Sequence, residues 1–295
     1  MASNETGLFF ALELDGRNES PRRLRESVAA AESAGFTLVT FGELVDGADR
    51  LDAGTRAAFV SSATTTVGLA PAVHTLTTEP FFLATQIASL DHTSHGRGAW
   101  VVGGDNSPAA HAAAGSTVRE PSSIISEIRD VIEVSRQLWD SWEDGAVIRD
   151  ADTGRYLDPE KVHHVRFDGE FFDVVGPLIT PRSPQGQPVV VGDARLGVTD
   201  LLDIALVEDL AAAQEARGDG APLVFVDGAD DVASLVGLVD GVRFRPSSAE
   251  DLTVLLGETV PALAAAGLLR RPTIGRTLRE NLGLARPASR YAAQN

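Results

Sequence analysis

Apolar positions along this chain fall into short runs, separated by longer stretches in which apolar residues recur every three or four positions. The runs are Leu8–Leu14, Thr37–Phe41, Val67–His74, Gly98–Gly103, Pro188–Val191, Ile204–Val207, Pro222–Val226 and Gly241–Phe244. Short apolar runs bounded by turn residues read as buried strands. The intervening stretches read as helices. Ser20-Pro21 supplies an N-cap and an N1 proline, and Gly35 a stop, for a helix between them. Asp52–Thr64 is a second helix, and Glu79-Pro80 opens a third that runs to about Leu90. Ile124, Ile128, Val131, Ile132, Ser135, Leu138 and Trp139 share one face at helical spacing. Later helices are expected at Gly197–Leu202, Leu210–Arg217, Asp230–Val239 and Asp251–Ala266, the last opened by a capping-box spacing of Ser247 and Glu250.

Eight strands, each followed by a helix, pair in parallel through right-handed crossovers. The closed solution is a (β/α)8 TIM barrel of the α/β class, read as a single domain over residues 1–295. An open doubly wound sheet would carry a glycine-rich phosphate fingerprint after the first strand, and Leu14-Asp15-Gly16-Arg17-Asn18 is not one. Asp150–Pro188 interrupts the alternation after the fourth βα unit. A polar connection of that length is normally a functional insertion, so it is a candidate lid or dimer contact.

In such barrels chemistry sits at the C-terminal ends of the strands. That rule selects Glu43 after the second strand, and His74 and Thr75 at the end of the third. It adds Gly103, Gly104, Asp105 and Asn106 after the fourth, and Gly192, Asp193 and Arg195 after the fifth. Glu208, Asp209, Asp227 and Arg245 follow the sixth, seventh and eighth. His74 is the ring's histidine and the candidate proton donor, or else an ordinary hydrogen-bonded loop residue. Gly103-Gly104 lets a flat ligand approach the backbone, or merely makes a tight turn. The acidic residues could hold a hard cation, but no D-x-D or histidine spacing pins them, and no metal is expected.

Composition narrows the classes. The chain has 295 residues, 43% of them hydrophobic, and no cysteine, so thiolate chemistry and disulfides are excluded. Its net charge of −17 repels phosphate backbones, which argues against nucleic acid. No apolar run is long enough to span a bilayer, and MASNETG is unlike a signal peptide. A cytoplasmic protein is expected.

Several blocks add a resemblance. Leu138–Ala146 (LWDSWEDGA) is followed by D-x-x-T-G-R-Y-x-D-P-x-K-V-H-H, F-D-G-E-F-F-D-V-x-G-P-L and P-R-S-P-Q-G-Q-P-V-V-V. Glu79–Ala84, Ala88–His92, Ser94–Trp100 and Thr277–Leu284 add E-P-F-F-L-A, A-S-L-D-H, S-H-G-R-G-A-W and T-L-R-E-N-L-G-L. Together these resemble the nitrilotriacetate-monooxygenase branch of the bacterial-luciferase-like flavin monooxygenases. The resemblance implies the (β/α)8 fold, reduced FMN from a separate flavin reductase, O2, a small organic substrate and a homodimer. It implies flavin or phosphate contacts at Val101, at Ile124-Ile125 and in Val191–Gly197. There the family has Asn, Arg-Tyr and A-G-x-S respectively. Glu43 matches its acidic residue after the second strand, while His74 replaces a small polar residue and Thr75 matches the next position.

Three functions compete at this level. One is a flavin-dependent monooxygenase using reduced FMN, or the deazaflavin F420 known elsewhere in the superfamily. In it His74 handles a proton and Glu43, His74, Thr75, Gly103, Gly104, Asp105, Gly192, Asp193 and Arg195 line the cofactor. The second is a barrel without flavin that serves as a binding or partner subunit. The third is a metal-dependent hydrolase on the acidic loops.

Overall fold

A computed structural model describes residues 7–16, 20–42, 51–228 and 231–292. Its first half alternates β1 (Phe9–Leu14), α1 (Pro21–Ala34), β2 (Leu38–Phe41), α2 (Ala53–Ser61), β3 (Gly68–His74), α3 (Pro80–Thr93) and β4 (Ala99–Gly103). A short α4 (Pro108–Ala114) and the long α5 (Pro121–Asp140) follow. Two small antiparallel hairpins come next, β5 (Val147–Asp150) with β6 (Arg155–Leu157), and β7 (Phe167–Asp168) with β8 (Asp173–Val174). The second half contains β9 (Val189–Asp193), β10 (Ile204–Val207), α6 (Leu210–Gly218), β11 (Leu223–Asp227) and β12 (Gly241–Phe244). It ends with α7 (Ala249–Val254), α8 (Val260–Ala265) and α9 (Leu278–Leu282).

The barrel is closed in the order β1-β12-β11-β10-β9-β4-β3-β2, and every pairing is parallel. This is the expected (β/α)8 barrel, with all eight strands where the apolar runs lie. Alternation along each strand sorts residues into two cores. Phe10 and Leu12 face the helices, while Phe9, Ala11, Leu38, Ala70, Val191 and Phe225 pack inside the barrel. Phe9 and Phe225 stack there at 6.1 Å. Leu278 and Leu282 of α9 join that inner core.

The same alternation carries polar residues into the inner layer at the C-terminal ends. Two residues beyond Ala11 is Glu13, beyond Val191 is Asp193, beyond Phe225 is Asp227, and beyond Gly241 is Arg243.

The opposite end is closed by a buried polar clamp. Arg279 of α9 holds Asp203 through two hydrogen bonds of 2.8 and 3.0 Å and donates to the carbonyls of Gln187 and Pro188. Gln185 donates to Asp91 at 2.6 Å and to the Gly98 carbonyl at 2.7 Å, while its oxygen accepts from Arg279 N–H. Arg182 pairs with Asp140, both nearly fully buried. Each of these ion pairs is matched in charge, as buried charges require. The blocks that carry the family resemblance, around Asp91, Asp140, Arg182–Gln187 and Arg279, meet at this clamp. At this end of a barrel such residues serve stability.

Four expectations change. Gly197–Leu202 holds a single 3-10 turn, Thr199–Leu201, just after another at Ala194–Leu196 that ends at Gly197. The helix expected over Asp230–Val239 is a single 3-10 turn, Val232–Leu235, with Asp230 itself outside the described residues; Gly237 at φ 80° stops it. The last long helix is capped by Ser248, not Ser247: Ser248 Oγ accepts from Asp251 N–H, and Ser247 binds the Asp251 carboxylate. Finally, the insertion begins from the end of α5 and returns at the start of β9. Both its ends therefore lie opposite the mouth, and it cannot hang over the mouth as a simple lid. Only the β7–β8 hairpin reaches back to the rim, where Phe171 and Phe172 approach Thr75–Pro80.

Candidate functional site

The inner layer at the mouth is charged and self-paired. Arg243 is buried and donates Nε to Asp227 at 2.6 Å, with its second nitrogen also on Asp227. It also lies 3.3 Å from Glu13. Arg245 binds Glu13 at 2.9 Å from outside. Burial pushes the Arg243 guanidinium down, but the carboxylates of Asp227 and Glu13 outweigh it and hold it above its ordinary value. Arg243 thus remains charged, and its charge is spent on residues of the barrel itself.

Beside this network, Asp193 forms a chelate with Arg195, through contacts of 2.6 to 3.1 Å. Arg195 also reaches Glu208 at 2.7 Å and is 69% exposed. Burial pushes the Asp193 carboxyl up, but the Arg195 guanidinium more than reverses this and holds it below the usual carboxylate range. Asp193 is therefore ionised at neutral pH and already neutralised in place.

On the β3–β4 side, His74 Nδ1 accepts a hydrogen bond from Asp105 N–H at 3.3 Å. This puts the proton of a neutral ring on Nε2. A Cβ at position 103 would overlap the His74 ring, so Gly103 is what lets the ring lie across β4. Thr75 is buried, and both its N–H and hydroxyl donate to the Gly103 carbonyl, at 2.9 and 3.0 Å. Its hydroxyl is thus engaged with the barrel backbone. Asp105 accepts from Ser107 N–H, and Asn106 is fixed by His111 and Arg119.

The corner between the β4 and β9 loops is apolar. A Cβ on Gly104 would fall 2.8 Å from Leu196 and 3.2 Å from Ile128. One on Gly197 would fall 3.1 Å from Ile125. Leu196, Ile125 and Ile128 therefore fill the gap that the two glycine turns leave. Gly192 packs against Leu202.

Of the residues selected from sequence, His74, Thr75, Gly103, Gly104 and Asp105 form one cluster, and Asp193, Arg195, Glu208, Asp227 and Arg245 another. Asp209 instead caps α6. Glu43 lies outside the described residues. Among the described residues no three His, Cys, Asp or Glu side chains converge as metal ligands. Glu13 and Arg243, the centre of the mouth, were not singled out from sequence. Counting two residues past the apolar inward positions of β1 and β12 would have found them.

A cleft of about 400 Å³ opens beside the mouth, between the N-terminal ends of α2 and α3 and the helix α4, with Val73 and His74 in its floor.

Residues 5–199 match the family model described as luciferase-like monooxygenase. A component of pristinamycin IIA synthase from Streptomyces pristinaespiralis, one of that enzyme's named subunits, is 34% identical over 285 residues, covering 91% of this chain and 91% of that protein. Nitrilotriacetate monooxygenase component A from Aminobacter aminovorans is 38% identical over 155 residues, covering 52% of this chain. That match spans only 34% of the relative's length. A solved long-chain alkane monooxygenase superposes with a TM-score of 0.82 at 17% identity, covering 94% of this chain and 95% of the other. Among the described residues no helix is long and apolar enough to cross a membrane.

Proposed function

The chain belongs to the luciferase-like monooxygenase family, and from that membership we propose that it is a component of a flavin-dependent monooxygenase acting on an organic substrate. In this reading O2 is the oxidant and reduced flavin, delivered by a separate reductase, is the reductant. The reading rests on family membership and on a barrel whose mouth carries a histidine and paired charges, beside a cleft that no arginine or lysine lines among the described residues.

Physical fit weighs against FMN on this chain. A phosphate dianion needs backbone or side-chain donors and a local positive field. At the corner the resemblance assigns to it, Leu196, Ile125 and Ile128 present hydrocarbon instead. Asp193 adds a carboxylate, and Arg195 is committed to Asp193 and Glu208. Arg243 cannot serve either, being held by Asp227 and Glu13. We therefore assign the flavin to a partner chain. The filled corner is the observation that carries this assignment. The relative matched over nine-tenths of its length supports it, because its own name makes it one part of a multi-chain synthase.

Within such an assembly this barrel supplies the scaffold and the cleft. His74, with Nδ1 occupied by Asp105 N–H, can donate through Nε2. The test is oxygenation by purified components. With a reductase, reduced FMN and O2, the chain alone gives no turnover, and turnover appears when a flavin-bearing luciferase-like chain is added. Turnover by this chain and reductase alone overturns the assignment of the flavin to a partner. If the addition of this chain never alters the partner's turnover or product, the component reading itself fails.

A further inference from the structure

We infer that the cleft between α2, α3 and α4 binds a neutral organic molecule with an apolar body and a few hydrogen-bonding groups, and that it rejects polycarboxylates. Its volume of about 400 Å³ lies in the range of sites that bury small organic ligands. One wall is hydrocarbon: Val73, Phe82, Ala110, Ala113 and Ala114. Phe82 is 59% exposed, a large apolar surface left bare at the cleft's edge. The other wall offers uncharged hydrogen-bonding groups, Thr77, Thr78 and Gln86.

The charge of the lining decides the ligand class. Among the described residues no arginine or lysine lines the cleft. The nearest guanidinium in sequence, Arg56 of α2, donates to the carbonyls of Leu51, Leu14 and Gly42 instead. The carboxylate in the lining, Asp52, is held in place by the Gly54 and Thr55 N–H groups that it caps. A polyanion would be desolvated here with no arginine or lysine among the described lining residues and beside a carboxylate, in a chain whose net charge is already −17. A neutral molecule loses nothing of the kind and gains the apolar wall.

The monooxygenase reading is needed only to call this ligand a substrate; binding itself does not depend on it. The experiment is saturation-transfer NMR on the purified full chain, with indole and cyclohexanone as neutral probes and citrate as the polyanion, each at about 1 mM. The neutral probes are expected to show transfer and citrate none. Ala113→Trp fills the cleft from an exposed position on α4 and is expected to abolish transfer with an unchanged melting temperature. Should that variant fold poorly, Phe82→Ala removes the exposed wall and is expected to weaken binding about tenfold. Citrate binding as well as the neutral probes, absence of transfer to either neutral probe, or full binding by both variants would overturn the inference. No flavin is present in this experiment, so its result is independent of which chain carries the cofactor.

Discussion

At position 243 a guanidinium stands inside the barrel, with Asp227 and Glu13 as its carboxylate partners. Taking it away leaves two largely buried carboxylates close together, with the half-exposed Arg245 as their remaining cation. Arg243→Ala is therefore expected to destabilise the fold by about 3–5 kcal/mol, measured by denaturant unfolding. The double variant Arg243→Met with Asp227→Asn removes charge of both signs and is expected to recover a substantial part of that loss. Equal destabilisation by both would contradict the pairing. Gly103 is a second residue with one reason for its identity. Gly103→Ala drives a methyl into the His74 ring and is expected to cost about 1–3 kcal/mol and to move the His74 ring resonances in NMR. Strand alternation could place Arg243 in the inner layer, but neither its partners nor the His74 contact of Gly103 was legible from sequence. Arg243 hides inside the run Gly241–Phe244, which reads as a buried strand, and nothing in one sequence tells that its neighbours in space are Glu13 and Asp227.

Elements were more legible than residues, for physical reasons that differ by element. β1, β3 and β9 are mostly apolar because a parallel strand in a barrel is buried on both faces, and their polar residues Glu13, His74 and Asp193 come at or next to the C-terminal ends. α1 announces itself through Ser20, Pro21 and Gly35, all three of which act as caps or first-turn residues. The turns after β9 and β11 misled because a few apolar residues at helical spacing suit a single 3-10 turn as well as a helix. α4 went unread because Pro108–Ala114 is mostly alanine and shows no stripe. The insertion's length is plain in the sequence, but which of its readings, lid or dimer contact, suits it depends on a position set by joining a helix end to a strand start, and that position disfavours a simple lid. α9 completes the bottom clamp, and its role depends on Arg279. Arg279→Ala leaves Asp203 buried without its main partner and is expected to cost about 3–5 kcal/mol while leaving probe binding in the cleft unchanged. Loss of cleft binding by a folded Arg279→Ala would show that the two ends are not separable.

On the scale of the molecule, the two ends of the barrel tell different stories. The N-terminal end holds the family's wording as a network of paired charges. The C-terminal end has kept the barrel's form and replaced what the resemblance assigns to FMN. Acidic carboxylates tied to arginine also contribute to stability at acid pH. Arg286, by hydrogen bonding Asp144, holds its carboxyl below the usual range. A depressed folded-state value contributes stability above the unfolded carboxylate pKa of about 3.9 and loses it as pH falls through the folded value. Asp144→Asn is therefore expected to flatten the fall of the unfolding midpoint on the acid side; an unchanged acid limb would contradict that linkage.

The central claim is that this barrel belongs to the luciferase-like family yet does not hold FMN by itself. Isothermal titration of FMN into the purified chain tests it most directly. The account predicts no saturable binding and a colourless protein after dialysis. Stoichiometric binding with a dissociation constant on the order of 1 μM would contradict it.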